Sequence, residues 1–179
     1  MTSVLDARLR GRLDALAAQS LYRVRRIVDG AHGAKLRVDG RDCLNFCSND
    51  YLGLAADARV SAAAAQALRH AGTGSGAAAL ISGHNRYHRA LEEALADFLG
   101  AERVLLFSSG WAANLGVLRA VLGREDLLLA DELNHASLID GGRLSGAEYR
   151  RLPHRDLSAL DATLEAEPAS DRLRLVVSD

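Results

Sequence analysis

The sequence predicts an α/β protein built on a mainly parallel, helix-covered sheet, and three features carry that expectation. Short unbroken apolar runs at Val104-Leu105-Leu106-Phe107, Leu127-Leu128-Leu129-Ala130 and Leu173-Arg174-Leu175-Val176-Val177 have the length of buried strands. Stretches with apolar residues at helical spacing stand between them, such as Leu115, Leu118, Val121 and Leu122. Glycines and turn residues punctuate the boundaries, so strand and helix alternate along the chain. Parallel strands covered on both faces read as continuous apolar runs, and helices supply the crossovers between them.

In chain order, Leu5, Leu9, Leu13 and Leu16 predict an amphipathic helix over about 4–19 with Arg8, Arg12 and Asp14 on its other face, and the cluster Arg23, Arg25 and Arg26 comes after it. Lys35-Leu36-Arg37-Val38, Asp39-Gly40 and Cys43-Leu44-Asn45-Phe46 read as a hairpin, because Asp-Gly suits a type I′ turn. An Ala-rich helix is expected over 62–68, stopping at the glycine-rich stretch 71–76. Tyr87, Leu91, Leu95, Phe98 and Leu99 mark a helix ended by Gly100, and Arg103 to Phe107 should then be a short buried strand. Helices near 111–122, 136–144 and 157–165 alternate with strands at 127–130, 148–152 and 173–177. No internal repeat or low-complexity linker interrupts the pattern. The expected division is an N-terminal helix and hairpin segment, 1–55, and a larger α/β part, 56–179.

Composition narrows the function classes. The 179 residues are 49% hydrophobic and 25% charged, with 22 basic and 23 acidic residues and a net charge of −1. No nucleic-acid partner is expected, since no excess of positive charge could displace phosphate counterions. No apolar run approaches the ~18 residues of a membrane helix, and the first twenty residues lack the apolar core of a secretory signal. Asp6 and Asp14 argue against a mitochondrial presequence. Cys43 and Cys47, about 13 Å apart if extended, lie beyond disulfide reach and read as reduced core thiols of a cytoplasmic protein.

Several residues invite chemistry. Ser108-Ser109-Gly110 lies between an apolar run and a helix start, where free backbone N–H groups make either a plain N-cap or a phosphate cradle. His135 comes after the next strand and should emerge on the same edge of the sheet, as a cap, a stacking ring or a proton carrier. Gly74 to Ala79 fits G-x-G-x-x-A, but the preceding segment is helical and the context of a dinucleotide site is missing. His84, His88 and Glu92 have i, i+4, i+8 spacing without a fourth metal ligand, so a solvated helix face is expected and no metal. Asn45 to Leu54 is a polar turn in which Asn49 either stabilises the turn or faces a carboxylate.

Taken together, NFCSNDYLGL (45–54), the stretch 74–83 with His88-Arg89-Ala90-Leu91-Glu92, SSGWAAN (108–114) and ADELNHASL (130–138) resemble the α-oxoamine synthases in order and spacing. These are a branch of the fold-type-I pyridoxal-phosphate enzymes, and the likeness covers nearly the whole chain. It implies the transferase fold type I of pyridoxal-phosphate-dependent enzymes, in a cytoplasmic homodimer. It further implies the decarboxylative condensation of an amino acid with an acyl thioester, the cofactor serving as electron sink. SNDYLGL with Leu21-Tyr22-Arg23 points within the family to L-alanine and a pimeloyl thioester, the rival pair being glycine and acetyl-CoA.

Carried over residue by residue, Ser109 and the backbone of Gly110 and Trp111 would bind the cofactor phosphate. His135 would stack on the pyridine ring as the catalytic histidine and help position the substrate. Asn49 would contact the amino-acid carboxylate, and Arg23 would meet the acyl substrate. The family's attachment lysine and the Asp against its pyridine nitrogen have no counterpart here, for the sole lysine is Lys35, in the expected hairpin. The chain is therefore expected to be the N-terminal part, stopping before the cofactor lysine and inactive alone. Two other readings remain open, a dinucleotide-binding module at Gly74 to Ala79 and a non-catalytic interaction fragment.

Overall fold

The computed structural model describes residues 3–179, which fall into two compact units meeting in sequence at Gly74 and Ser75. In the first, helix α1 (Val4–Ala18) begins at a reciprocal cap. Ser3 Oγ accepts the Asp6 N–H at 3.0 Å, and the Asp6 carboxylate takes the Ser3 N–H at 3.1 Å. Leu5, Leu9, Leu13 and Leu16 remain 40–62% exposed, so the apolar stripe is uncovered within its own unit.

Strands β1 (Val28–Asp29), β2 (Lys35–Val38) and β3 (Arg41–Leu44) form an antiparallel sheet in that order. Pairing of Val38 with Arg41 leaves Asp39-Gly40 as a two-residue loop, with φ of 49° and 77°. Positive φ at both positions is the type I′ geometry expected of Asp-Gly. The Asp39 carboxylate also accepts the Ile27 N–H and Arg26 Nη1, each at 3.0 Å, and these bonds hold its carboxyl below the ordinary range. Cys43 and Cys47 are free but exposed, not the core thiols expected: β3 is exposed along its whole length, with no second layer on it inside the unit. A 3-10 turn (Leu54–Ala56) leads to α2 (Ala58–Ala71), longer than expected because Asp57 caps it early; it ends at Gly72, φ +73°.

The second unit opens on a π-helical turn (Ala79–Gly83), where a Cβ on Gly83 would overlap the Ala77 carbonyl oxygen. The element directly before the G-x-G-x-x-A segment is helix α2, not a strand. Helix α3 (Arg86–Leu99) is capped by Asn85 and stopped by Gly100 in the left-handed region. His84 precedes this helix, and its Nε2 lies 3.0 Å from Glu92 Oε2.

Arg103 to Phe107 is not a strand. A strand needs a ladder, and the sheet of this unit contains only β4 (Leu127–Asp131), β5 (Glu148–Leu152) and β6 (Arg174–Val177) in the order β5-β4-β6. The Leu106 N–H is met instead by the Glu92 carboxylate at 3.4 Å.

Helices α4 (Gly110–Val121), α5 (Ala136–Ser145) and α6 (Leu157–Ala166) complete the unit, and β4 pairs in parallel with both neighbours. Leu127, Leu128 and Leu129 are fully buried, as the run predicts, whereas β6 is only half-buried. Leu118, Leu122 and Leu128 centre the core, with Leu138, Tyr149, Leu175 and Val177 against them. Gly141 and Gly142 of α5 allow this packing. A Cβ on Gly141 would stand 3.1 Å from the Asn114 carbonyl oxygen, and one on Gly142 would stand 2.6 Å from Leu128 Cδ2 and 2.7 Å from Tyr149 Cε2.

At the end of β4 the Asp131 carboxylate collects three segments. It accepts the Leu133 N–H at 2.8 Å and the Arg155 N–H at 3.4 Å, and lies 2.8 Å from His154 Nδ1. The Leu133 amide, together with His154 and the Arg155 amide, holds its carboxyl below the ordinary 3.8 against the opposing effect of desolvation.

This packing has two measurable consequences. Gly142→Ala should cost about 1–3 kcal/mol in urea unfolding through overpacking against Leu128 and Tyr149, while Gly123→Ala, whose Cβ would meet only Asp126 Oδ2 at 3.5 Å, should be nearly neutral. A lowered folded-state carboxyl contributes stability that is complete above the unfolded value of 3.8 and is lost as pH falls through the folded value. Thermal melts over that acid range should therefore fall less steeply for Asp131→Asn than for the parent chain.

Candidate functional site

The local sequence sets a helix start directly after each of two loops, and each start leaves backbone N–H groups without an intrahelical acceptor. Ser109 caps α4, its Oγ accepting the Ala112 N–H at 3.2 Å and its carbonyl accepting the Ala113 N–H at 3.0 Å. The amides of Gly110 and Trp111 have no acceptor among the described residues. Apart from its chain neighbours and its own helix backbone, nothing lies within 4 Å of where a Gly110 Cβ would sit, so the backbone there is open to close approach. Free N–H groups at the positive end of a helix dipole are suited to a phosphate. Trp111, 52% exposed, flanks this cradle.

The second loop carries His135, the cap residue of α5. Its backbone N–H donates to Asp179 Oδ2 at 3.1 Å, and the preceding Asn134 is buried with its Nδ2 donating to the Val177 carbonyl at 3.0 Å. Both bonds fasten the loop to the end of β6. The imidazole Nδ1 accepts the Ser137 N–H at 3.2 Å and lies 2.7 Å from Ser137 Oγ. Asn114 of α4 reaches across to the same hydroxyl, Nδ2 to Oγ, at 2.9 Å. This bond ties α4, one turn in from its start, to the first turn of α5, so that the Gly110–Trp111 amides and the His135 ring stand at the N-terminal ends of two joined helices.

The site expectations divide between the two units. Ser109, Gly110, Trp111 and His135 lie in the second, at the starts of α4 and α5, two helices joined by the Asn114–Ser137 bond. Asn49 and Arg23 belong to the first, both exposed and both outside regular elements. Around Asn49 the turn is held by its neighbours: Asn45 Nδ2 donates to the Gly33 carbonyl at 3.1 Å, and Asp50 Oδ1 accepts the Leu54 N–H at 2.8 Å. Asn49 itself is not used in that scaffold among the described residues. Sequence reasoning overlooked Asn114, Ser137, Asn134 and Asp179 as parts of the site. Asn114 and Ser137 both lie within quoted motifs, but their bond joins positions 23 apart and leaves no local signal.

The residues present fit a phosphorylated aromatic cofactor on two counts, an open amide cradle at the start of α4 and, at the start of the helix bonded to it, an imidazole held from one side. They do not include a lysine, since Lys35 stands exposed in β2 of the other unit.

Comparison with known proteins identifies the family and the fold. Residues 41–178 match the family described as aminotransferase class I and II. The chain is 57% identical over 161 residues to an 8-amino-7-oxononanoate synthase of Nitrosococcus oceani, covering 90% of this chain and 42% of that protein. It is 51% identical over all 179 residues to one from Azoarcus sp. strain BH72, covering 45% of that protein. Among solved structures, the serine palmitoyltransferase of Sphingomonas wittichii superposes with a TM-score of 0.83 at 31% identity, over 98% of this chain and 44% of that one. One from S. paucimobilis, solved with bound PLP–myriocin aldimine, gives 0.86 at 26% identity over 97% of this chain and 44% of that one. The chain thus spans less than half the length of the curated relatives it matches. With its fold-type-I α/β architecture and its homology to 8-amino-7-oxononanoate synthases, this chain belongs to the class I and II aminotransferase family.

Proposed function

We propose that this chain supplies the phosphate cradle and the ring-facing histidine of a pyridoxal-phosphate-dependent 8-amino-7-oxononanoate synthase. That enzyme joins L-alanine to a pimeloyl thioester, on CoA or a carrier protein, with loss of carbon dioxide and release of the thiol, a step of biotin biosynthesis. The observation that carries the proposal is the Asn114–Ser137 bond, which joins the helix opening on the free Gly110 and Trp111 amides to the helix opening on His135. The identity of 51–57% to two synthases of that name supports it.

In this reading Ser109 closes the cradle and the Gly110 and Trp111 amides take the phosphate. His135 lies against the pyridine ring and positions the amino acid. Bound there, the cofactor supplies an electron sink for the pair left on the α-carbon. Asn49 meets the amino-acid carboxylate. Arg23 meets the acyl substrate, where a planar guanidinium can pair with a carboxylate through two parallel bonds. Residues 1–55 form the small N-terminal part and 56–179 the first half of the large domain, in a cytoplasmic homodimer. The attachment lysine comes from elsewhere in the complete enzyme, because Lys35 matches no part of the site.

Turnover of the complete protein tests this directly. Alanine with pimeloyl-CoA should be the preferred pair over glycine with acetyl-CoA, and the reverse preference would reject the proposed specificity. His135→Ala should slow the amino-acid half-reaction by about 10²-fold, at a stability cost near the ~1 kcal/mol of a lost cap. An unchanged rate would contradict the role given to His135. Arg23→Ala should chiefly raise the KM for the acyl substrate.

A further inference from the structure

The polarity of the contacts around His135 can be read from one fixed point. The Ser137 backbone N–H can only donate, and its acceptor is His135 Nδ1, 3.2 Å away. That nitrogen therefore carries a lone pair and no proton, which places the ring proton of the neutral imidazole on Nε2. The Ser137 hydroxyl, 2.7 Å from the same nitrogen, must then donate to it as well. Its oxygen lone pairs are left for Asn114 Nδ2–H, at 2.9 Å. Ser137 is fully buried, so no water competes for its hydroxyl, while Nε2 has no partner among the described residues.

From this chain of donors we infer that Asn114 and Ser137 are positioning residues that hold His135 in a single tautomer, with Nδ1 as acceptor and Nε2–H as donor. The consequence for function rests on the cofactor reading above: His135 meets its ligand as a flat, neutral ring with an N–H to give, not as a base at Nε2. Asn114 stands four residues after Gly110 in α4, so the helix that would hold the phosphate also sets the protonation pattern of the facing ring.

Long-range 1H–15N correlation of the chain labelled with 15N-histidine, at a pH of about 8 where an ordinary imidazole is neutral, reads the tautomer directly. The parent chain should show His135 with unprotonated Nδ1 and protonated Nε2. Ser137→Ala should move the tautomer ratio toward Nδ1–H by about tenfold, equivalent to ~1.4 kcal/mol, and Asn114→Ala should move it less in the same direction. Nδ1–H in the parent chain, or a ratio unmoved by Ser137→Ala, would overturn the inference. A merely structural role for Asn114 would lower the melting temperature without altering the ratio. Quenching of Trp111, the only tryptophan, by added pyridoxal phosphate tests the cofactor reading separately. Absent quenching with the tautomer pattern intact supports the donor chain and rejects the cofactor role. Quenching beside an Nδ1–H ring rejects the donor chain alone.

Discussion

The second unit is organised by a single strand. Leu127, Leu128 and Leu129 of β4 are fully buried and hydrogen-bonded on both sides by parallel neighbours, so β4 has almost no freedom to shift. A one-residue slip would break the register with both neighbours and take Leu128 out of its packing with Leu118, Leu122 and Leu175. The segment after β4 inherits that constraint. Asp131 ends the strand and gathers the Leu133 and Arg155 amides, Asn134 is fastened to Val177, and His135 then opens α5 at a set place. Parallel open sheets build their sites at these carboxyl ends of strands, because loops leave and helices begin there together.

Close helix packing supplies the other half of the site. Gly141 lets α5 approach α4 near Asn114, and the Asn114–Ser137 bond joins the two helices near their N-terminal ends. Small residues in α5 thus have a chemical consequence, since a larger side chain there would part the amide cradle from the imidazole. The cradle itself needs no charged residue: two unmatched amides and an open glycine are enough to attract an anion.

Elements whose signals are local were legible in the sequence. Asp39-Gly40 specified its own turn through positive φ, Gly100 ended α3, and the spacing of apolar residues located α1, α4, α5 and α6 to within a residue or two. Elements that depend on distant partners were not. Val104 to Phe107 has strand chemistry but no ladder within its unit, and its amide at Leu106 is taken by Glu92. Cys43 and Cys47 look apolar enough for a core, yet β3, which carries Cys43, has no layer to cover it, and Cys47 is exposed in the loop after it. The site shows the same division. Ser109, Gly110, Trp111 and His135 were visible as helix starts just past apolar runs, while the Asn114–Ser137 link exists only once α4 and α5 pack.

Whether the α4 start is an anion cradle beside His135 is tested most directly by backbone 1H–15N spectra of the chain during titration with pyridoxal phosphate. Saturable shifts should centre on the amides of Gly110 and Trp111, with smaller ones at His135. Shifts centred on Gly74 to Ala79 or on Lys35, with Gly110 and Trp111 unmoved, would contradict it.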